Sequence, residues 1–350
     1  MRPNIFNVAT KELTQDAFLT WLLMWADNQT KTFDENLHLC GMQFVKDLIW
    51  KTFPGTNLEI EKVIAGRQWN NIDVWAEVTC TDKNYLIIIE DKVFTGEHSG
   101  QLEKYKKSAE EWCAENNFEL VPIYLKTGSE SDTNLKGIKT KGFEIFSRQE
   151  FINLLEKNLE IRNDIFIDFK ERLKTLHISY TEFENKILDE WTDLCWIGFY
   201  QLLENEIKLV NWGLVNNPAG GFWNAVLNWE YWNDFPVYIQ IEQGKLCFKI
   251  STDPEEVELD ETFDKRLVRE QWSNIIIRTA NALGQFEVRR PDRFGYGKYM
   301  TVAIVDRDNW LGHGNEKINS EIVIRKLKEY KEMMFSCLKL SQQQLATETT

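Results

Sequence analysis

The sequence contains little histidine, little proline and no closely spaced cysteines. Its 350 residues include four histidines, seven prolines and six cysteines. Because no Cys-x-x-Cys pair occurs, the cysteines indicate neither a disulfide framework nor a structural zinc site, and they fit reduced thiols in a cytoplasmic protein. No two histidines have the spacing of metal ligands, which argues against a histidine-based zinc site or a catalytic triad.

Long apolar segments and phosphate-binding glycine loops are absent as well. No apolar run approaches the roughly 18 residues that suggest a membrane-spanning helix. The first residues, "MRPNIFNVATKEL", lack the apolar core of a signal peptide. We therefore expect no membrane partner and a cytoplasmic location. The sequence contains no Walker-type loop, so nothing in it indicates an ATPase. The net charge of −14 argues against a general nucleic-acid binder, although it allows a local basic groove.

The apolar patterns predict an α/β fold class for the first part of the chain. Helical spacing predicts two helices within residues 12–53, and three strands follow between residues 58 and 90. A helix and two further strands come next, with the polar stretch 129–142 interpreted as a loop between the strands. This order predicts a domain over residues 1–155.

The remaining chain predicts two further parts. Residues 156–210 carry 3.6-residue apolar spacing and form a helical connector in this interpretation. Residues 211–340 combine strand-like runs, a turn containing Gly244 and helices, which predicts an α+β C-terminal domain for substrate or partner binding.

The stretch "KNYLIIIEDKVF", residues 83–94, carries the clearest chemical signal. A continuous apolar run is typical of a strand buried on both faces, yet this one ends in Glu90, Asp91 and Lys92. Alternation places Glu90 and Lys92 on one face and Asp91 on the other. One strand earlier, Asp73 interrupts the apolar sequence "NNIDVWAEV", and a hairpin brings it beside Glu90.

Two neighbouring carboxylates repel each other unless a cation lies between them. Mg²⁺ suits such a pair, because it binds through one or two carboxylates, waters and phosphate oxygens; Mn²⁺ is the alternative. A lysine beside the cation orients a water and assists its deprotonation. Asp73, Glu90 and Lys92 thus predict metal-dependent hydrolysis of a phosphodiester. An ion pair between Glu90 and Lys92 at the surface explains the same residues.

The segment "IDVWAEVTCTDKNYLIIIEDK" resembles the signature of the PD-(D/E)XK nuclease superfamily, an Asp followed after a hairpin by Glu-x-Lys. Two neighbouring features are similar to that family: a first helix bearing a glutamate, here Glu12, and a Gln-Leu-x-x-Tyr helix after the Glu-x-Lys strand, here Gln101 to Tyr105. The residue before Asp73 is Ile72, where the family often has proline. The resemblance covers roughly residues 1–155 and is strongest to bacterial nucleases with a separate C-terminal half.

The resemblance implies a restriction-endonuclease-like three-layer core built of a helix, three strands, a helix and a strand. It implies DNA as the commoner substrate and a role in defence against foreign DNA. The backbone carbonyl of Asp91 joins Asp73 and Glu90 as a metal ligand in this scheme. Glu12 supports the outer coordination shell, or is a favourable charge in the first helical turn. Gln101 orients the water or the lysine, or is only a polar group at a helix start.

Other residues are candidate contacts to substrate. Arg67, in the turn before the Asp73 strand, and His98 are close in sequence to the predicted site, and Tyr105 lies on an apolar stripe that also suits the core. In the C-terminal part, "FEVRRPDRFGYGKYM" mixes cations with rings that stack on bases. Its cations are Arg289, Arg290, Arg293 and Lys298. A hairpin with a solvated tip explains the same letters.

Two rival functions remain at this point. The first is a catalytically silent nuclease fold that binds nucleic acid or a protein partner, and the second is a structural subunit of a defence complex. Metal binding distinguishes both from a nuclease. A homo-oligomer is compatible with the sequence.

Overall fold

The computed structural model describes residues 3–97, 100–216, 220–258, 264–295 and 297–348, with side chains up to residue 341. The chain divides into two compact units, Met1–Ile178 and Ser179–Thr350. The predicted connector, residues 156–210, is shared between them. His98 lies outside the described residues. No helix among the described residues is long and apolar enough to cross a bilayer.

The first unit contains seven helices and five strands within the described residues. They are α1 (Ile5–Val8), α2 (Glu12–Met24), α3 (Glu35–Thr52), β1 (Ile60–Trp69), β2 (Ile72–Cys80), β3 (Asn84–Lys92), α4 (Gln101–Asn116), β4 (Glu119–Lys126), α5 (Asp132–Thr140), β5 (Glu144–Ser147), α6 (Arg148–Glu156) and α7 (Asp164–Thr181). A short 3-10 helix at Asn28–Thr32 connects α2 to α3.

The five strands form one mixed sheet in the order β1-β2-β3-β4-β5. The first three strands pair antiparallel, as short connections allow. The α4 crossover makes β3 and β4 parallel, and β5 extends the parallel part. Strand β3 is therefore central, which explains why nearly all of its side chains are buried.

Helices cover both faces of this sheet, giving three layers. Ile87 and Ile89 of β3 pack into a core shared with α2, α3, α6 and α7. Leu86 and Ile88, which alternate with them, pack on the opposite face with Leu102 of α4. This is the mixed α/β architecture of the predicted restriction-endonuclease-like core.

The loop predicted over residues 129–142 is wrong, because the structure contains α5 there. The Ser131 side chain accepts a hydrogen bond from the Asn134 amide and caps the helix. Ile138 then anchors it in the core on the α4 face. The polar composition concealed this helix, since one buried side chain is enough to hold so short an element.

The second unit contains a five-stranded antiparallel sheet in the order β10-β9-β8-β7-β6, flanked by helices. Its described elements are α8 (Asp193–Ile207), β6 (Asn211–Val215), β7 (Phe222–Trp232), β8 (Phe235–Glu242), β9 (Lys245–Ser251), α9 (Lys265–Ala282), β10 (Tyr299–Val305), α10 (Arg307–Trp310) and α11 (Ser320–Glu348). Gly244 lies in the tight turn between β8 and β9, at a φ of 99° that favours glycine.

The backbone after β4 passes so close to the end of β3 that only glycine fits at residue 128. A Cβ atom on Gly128 would lie 1.6 Å from the Val93 carbonyl oxygen. We predict that Gly128→Ala lowers the free energy of unfolding by about 1–3 kcal/mol or more, because the two backbones must separate. Gly137 of α5 has no atom within 4 Å of its Cβ position. Gly137→Ala should therefore stabilise by about 0.5–1 kcal/mol. Urea unfolding of both variants checks this contrast, and equal effects would contradict it.

Candidate active site

The pairing of β2 with β3 brings Asp73 and Glu90 together. Val74 lies opposite Ile89 in this antiparallel pair, so the next pair along the strands is Asp73 and Glu90. The Lys92 ammonium forms an ion pair with the Glu90 carboxylate, and its Nζ lies 4.0 Å from Asp73 Oδ2. The three side chains therefore converge at the carboxyl end of β3.

These charged groups are largely withdrawn from water. The Glu90 side chain is 1% exposed and that of Lys92 is 8% exposed. Asp73 retains 20% exposure, so it forms the open side of the cluster. Apart from its contacts with Lys92 and Asp73 inside the cluster, the Glu90 carboxylate has no hydrogen-bond partner for either oxygen among the described residues. A buried acceptor without a full set of partners lowers the stability of the fold, and a cation or donor that binds it recovers that free energy.

The electrostatics of the cluster favour an added positive charge. Burial and then the Asp73 charge raise the pKa of Glu90 to about 8, although Lys92 opposes the shift. Burial lowers the pKa of Lys92, but the hydrogen bond and the charge of Glu90 outweigh it and raise that pKa above its usual value. One lysine thus offsets only part of the repulsion between two carboxylates.

The residues present fit a divalent cation between Asp73 and Glu90. Among the described residues, no three His, Cys, Asp or Glu side chains are grouped so that they could hold a metal ion. Mg²⁺ does not require three, because it commonly binds through one or two carboxylates and completes its shell with waters and phosphate oxygens. The unsatisfied oxygens of Glu90 are the observation that supports the fit.

Glu12 of α2 lies at the same end of β3. Its Oε1 accepts hydrogen bonds from the Val93 amide at 2.9 Å and from the Thr95 hydroxyl at 2.8 Å. Its charge also raises the pKa of Lys92, though less than the charges of Glu90 and Asp73 do. Glu12 thus ties the segment after β3 to the first turn of α2.

Gln101 and Tyr105 lie on α4 near the cluster and contact each other. The Gln101 Nε2 donates to the Tyr105 hydroxyl over 2.8 Å, whereas its buried Oε1 has no partner among the described residues. The pKa of Tyr105 is raised by burial and, more weakly, by the charges of Glu90 and Asp73. This influence indicates that both side chains lie near the cluster, Tyr105 half-buried rather than in the core.

Arg67 lies within β1 and not in a turn, which corrects the sequence interpretation. The strand continues past Arg67 because its backbone pairs with Val74 of β2, and the ladder extends to Trp69 opposite Ile72. Its guanidinium is exposed and donates to the Leu13 carbonyl over 3.0 Å. Its charge lowers the pKa of Asp16, so Arg67 lies close to the α2 side of the site.

Asp16 and Gln15 of α2 were not among the predicted site residues, although both point to the end of β3. Burial, and then the Asp73 charge, raise the pKa of Asp16 to about 6. The Gln15 Nε2 donates to Asp91 Oδ1 over 2.5 Å. The helical spacing of Glu12 and Asp16, four residues apart, was the available signal that two acids share one face.

A second buried lysine lies beside Lys92, at the matching position of β4. Lys126 is paired with Lys92 in the parallel register and donates to the Thr95 carbonyl over 2.5 Å. It also forms an ion pair with Glu130 at 3.4 Å. Burial lowers the pKa of Lys126. No motif marks this residue in the sequence.

The basic segment of the second unit is largely engaged in local ion pairs. Arg289 contacts Asp292 and Asp306, Arg290 contacts Glu270, and Lys298 contacts Asp253. Arg293 is exposed. The Phe294 ring lies under the guanidinium of Arg269, 3.5 Å from its centroid. Exposed pairs of this kind are weak and exchange partners at little cost.

A cavity of about 730 Å³ lies away from this cluster, between α3 and α6. Trp50, Lys51 and Glu150 are among its lining residues, and the last two form an ion pair. Asp73, Glu90 and Lys92 do not line it. The cluster of Asp73, Glu90 and Lys92 is thus separate from this cavity.

A mixed sheet with an Asp, a Glu and a Lys converging at the end of its central strand defines a class of nuclease folds. The sequence matches the family model of the PD-(D/E)XK nuclease superfamily over residues 3–198, more than half of the chain. The chain belongs to this superfamily, whose members are usually nucleases that use divalent metals. No curated protein and no solved structure matches the chain significantly.

The raised pKa of Glu90 predicts a pH-dependent stability of the metal-free protein. Its folded-state pKa of about 8 lies above the ordinary value of 4.5, so the folded state binds the extra proton. Stability from this group is present below pH 4.5 and is lost as pH rises through 8, by at most about 1.4 kcal/mol per pH unit. Glu90→Gln should remove that slope.

Urea unfolding in EDTA at pH 5, 6.5 and 8 measures the slope for wild type and Glu90→Gln. Glu115→Gln, at an exposed position of α4, is the matched control and should keep the wild-type slope. Identical slopes in all three proteins would show that Glu90 is ionised in the folded state as it is in the unfolded chain.

Proposed function

We propose that the protein is a Mg²⁺-dependent nuclease that hydrolyses phosphodiester bonds, with Mn²⁺ as an alternative cation. The observation that carries the proposal is the convergence of Asp73, Glu90 and Lys92 at one strand end, with both Glu90 oxygens lacking other partners. Membership of the PD-(D/E)XK nuclease superfamily supports the reaction class.

In this mechanism Asp73 and Glu90 hold the cation. A divalent cation at that position supplies positive charge that lowers the pKa of a water and offsets the charge on the phosphate. Lys92 donates hydrogen bonds to the attacking water and orients it toward phosphorus. Its ammonium, which the raised pKa keeps protonated, stabilises the ionised form of that water electrostatically, and the released proton passes to solvent water.

Three further groups assist. As the family resemblance implies, the backbone carbonyl of Asp91 would serve as an additional ligand. Glu12 supports the outer shell while holding the segment after β3, through its bonds to Val93 and Thr95. Gln101 uses its unpaired Oε1 to accept a hydrogen bond from water, and its Nε2 is fixed by the Tyr105 hydroxyl.

DNA is the proposed substrate and defence against foreign DNA the proposed role, both on the strength of the family. Arg67, His98 and Tyr105 are proposed contacts to the substrate. In the second unit, Arg289, Arg290, Arg293 and Lys298 are proposed to bind substrate phosphates. The proposed site of action is the cytoplasm, which the six buried free cysteines favour. A homo-oligomer is compatible with this function.

The direct test is incubation with labelled single- and double-stranded DNA and RNA, with Mg²⁺ or Mn²⁺ against EDTA. We expect metal-dependent cleavage of DNA and none in EDTA. Binding without cleavage under every metal condition would replace the proposal by its rival, a catalytically silent module. Cleavage that persists in EDTA would exclude the metal mechanism.

Lys92 and Asp73 should give different signatures when replaced. Lys92→Met keeps much of the side-chain volume and should lower the single-turnover rate by roughly 10²–10⁴, with metal binding retained. Asp73→Asn should lose metal affinity together with the rate. Calorimetry of Mn²⁺ binding beside single-turnover cleavage separates the two. A Lys92→Met protein that cuts at the wild-type rate would remove the lysine from the mechanism.

The basic segment should contribute a salt-dependent part of binding. Replacing Arg290 and Arg293 together by Ala should weaken DNA binding and reduce the slope of log K against log salt by about 2, because two fewer counterions are released. The double replacement of Lys328 and Lys339, exposed on α11, is the control of equal charge change. Equal slopes of log K against log salt in both double variants would show that the segment does not bind DNA and is a solvated hairpin.

A further inference from the structure

A chain of hydrogen bonds on both the side chain and the backbone of Asp91 connects Thr127, the residue after β4, to Asp73. The Thr127 hydroxyl donates to Gln15 Oε1 over 3.0 Å, and Gln15 Nε2 donates to Asp91 Oδ1 over 2.5 Å. The Asp91 amide then donates to Asp73 Oδ2 over 3.1 Å. Thr127, Gln15 and Asp91 are all buried.

The Asp91 side chain lies on the opposite face of the sheet from Glu90 and Lys92. Alternation along β3 directs it toward α2, where Gln15 receives it, while its own peptide lies between Glu90 and Lys92. Holding the carboxylate from one side therefore restrains the Asp91 backbone, and with it the two peptide planes that meet at the Asp91 Cα. The first plane carries the amide that donates to Asp73, and the second carries the carbonyl assigned to the cation.

The β4 end of the chain is itself anchored. The Thr127 amide donates to the Lys92 carbonyl over 3.2 Å, and Arg148 Nη1 donates to the carbonyls of Thr127 and Gly128 at 2.8 and 2.9 Å. The close approach of Gly128 to Val93 fixes the same backbone. Thr127 thus presents its hydroxyl from a rigid support.

Gln15 is suited to the middle of this chain because its amide has one acceptor and two donors. The acceptor faces the Thr127 hydroxyl and a donor faces the Asp91 carboxylate, so each end of the amide has its own partner. Glutamate at this position would set one carboxylate against another, and leucine would offer neither bond.

We propose that Gln15 and Thr127 are positioning residues that act through Asp91 to set the orientation of the Asp91 peptide and of Asp73 for cation binding. The proposal rests on the proposed function of the cluster. Partners that orient metal ligands change affinity or activity by roughly 10–100-fold when removed. The loss should therefore appear in cation binding and not only in folding.

The experiment compares Thr127→Val with Thr127→Ser in the full chain. Valine keeps the branched shape and removes the hydroxyl, whereas serine keeps the hydroxyl. Mn²⁺ affinity, measured by calorimetry and by electron paramagnetic resonance, should fall at least tenfold in Thr127→Val and be restored in Thr127→Ser. Gln15→Leu, which breaks both bonds of the amide, should reproduce the loss if the valine variant does not fold.

Ile152→Val, which removes one buried methylene from the same core layer, controls for reduced stability and should bind Mn²⁺ as wild type does. Equal Mn²⁺ affinity in Thr127→Val, Gln15→Leu and wild type would overturn the positioning role while leaving the proposed function intact. A wild-type protein that binds no Mn²⁺ would overturn the proposed function, and this inference with it.

Discussion

Four ionisable groups must be accommodated at one buried strand end. Glu90, Asp91 and Lys92 follow each other in β3, and Asp73 faces them from β2. Removing a charge from water costs several kcal/mol in a protein even after relaxation, and a lysine compensates one carboxylate at most. The fold tolerates this arrangement because β3 is central in the sheet and its apolar residues pack on both faces.

The surroundings divide these charges between the two faces of the sheet. Glu90, Lys92 and Asp73 lie on the α4 side, where the opening remains. Asp91 turns to α2, where Gln15 hydrogen-bonds it and burial raises its pKa well above the ordinary range, with Asp16 adding to the shift. Because Asp91 lies on the other face of the sheet, its carboxylate is kept away from those of Asp73 and Glu90. It also leaves the pair Asp73 and Glu90 as the place where one added cation relieves most repulsion.

The buried lysine of the neighbouring strand has its own acidic partner outside the cluster. Lys126 lies beside Lys92, and two adjacent ammonium groups would repel each other. Glu130 pairs with Lys126, and Tyr124 donates to the same glutamate over 2.9 Å. Lys92 is therefore left to the two carboxylates of the cluster.

The sequence predicted the central features of the first unit because they depend on local periodicity. The apolar run of β3 with its charged end, and the isolated Asp73 in β2, required only alternation and a hairpin. Membership of the nuclease superfamily and the three-layer core are confirmed. The roles of the individual site residues remain predictions.

Other features depend on contacts that no local pattern reveals. Helix α5 is built from polar residues, and its place in the fold depends on the Ser131 cap and on Ile138. Gln15 and Thr127 are 112 positions apart and meet because α2 packs on β3 and reaches the residue that follows β4. Local propensity and residue spacing carry no information on contacts between residues so far apart in sequence. The positioning role of Gln15 and Thr127 therefore becomes evident only from the structure.

The most direct test of this account is the location of Mn²⁺ in crystals of the protein, from its anomalous X-ray scattering. The account predicts one anomalous peak between the carboxylates of Asp73 and Glu90 and next to the Asp91 carbonyl, with the Glu90 carboxylate turned from Lys92 toward the ion. A peak elsewhere in the molecule, or an intact Glu90–Lys92 pair without a peak at Mn²⁺ concentrations that support cleavage, would contradict it.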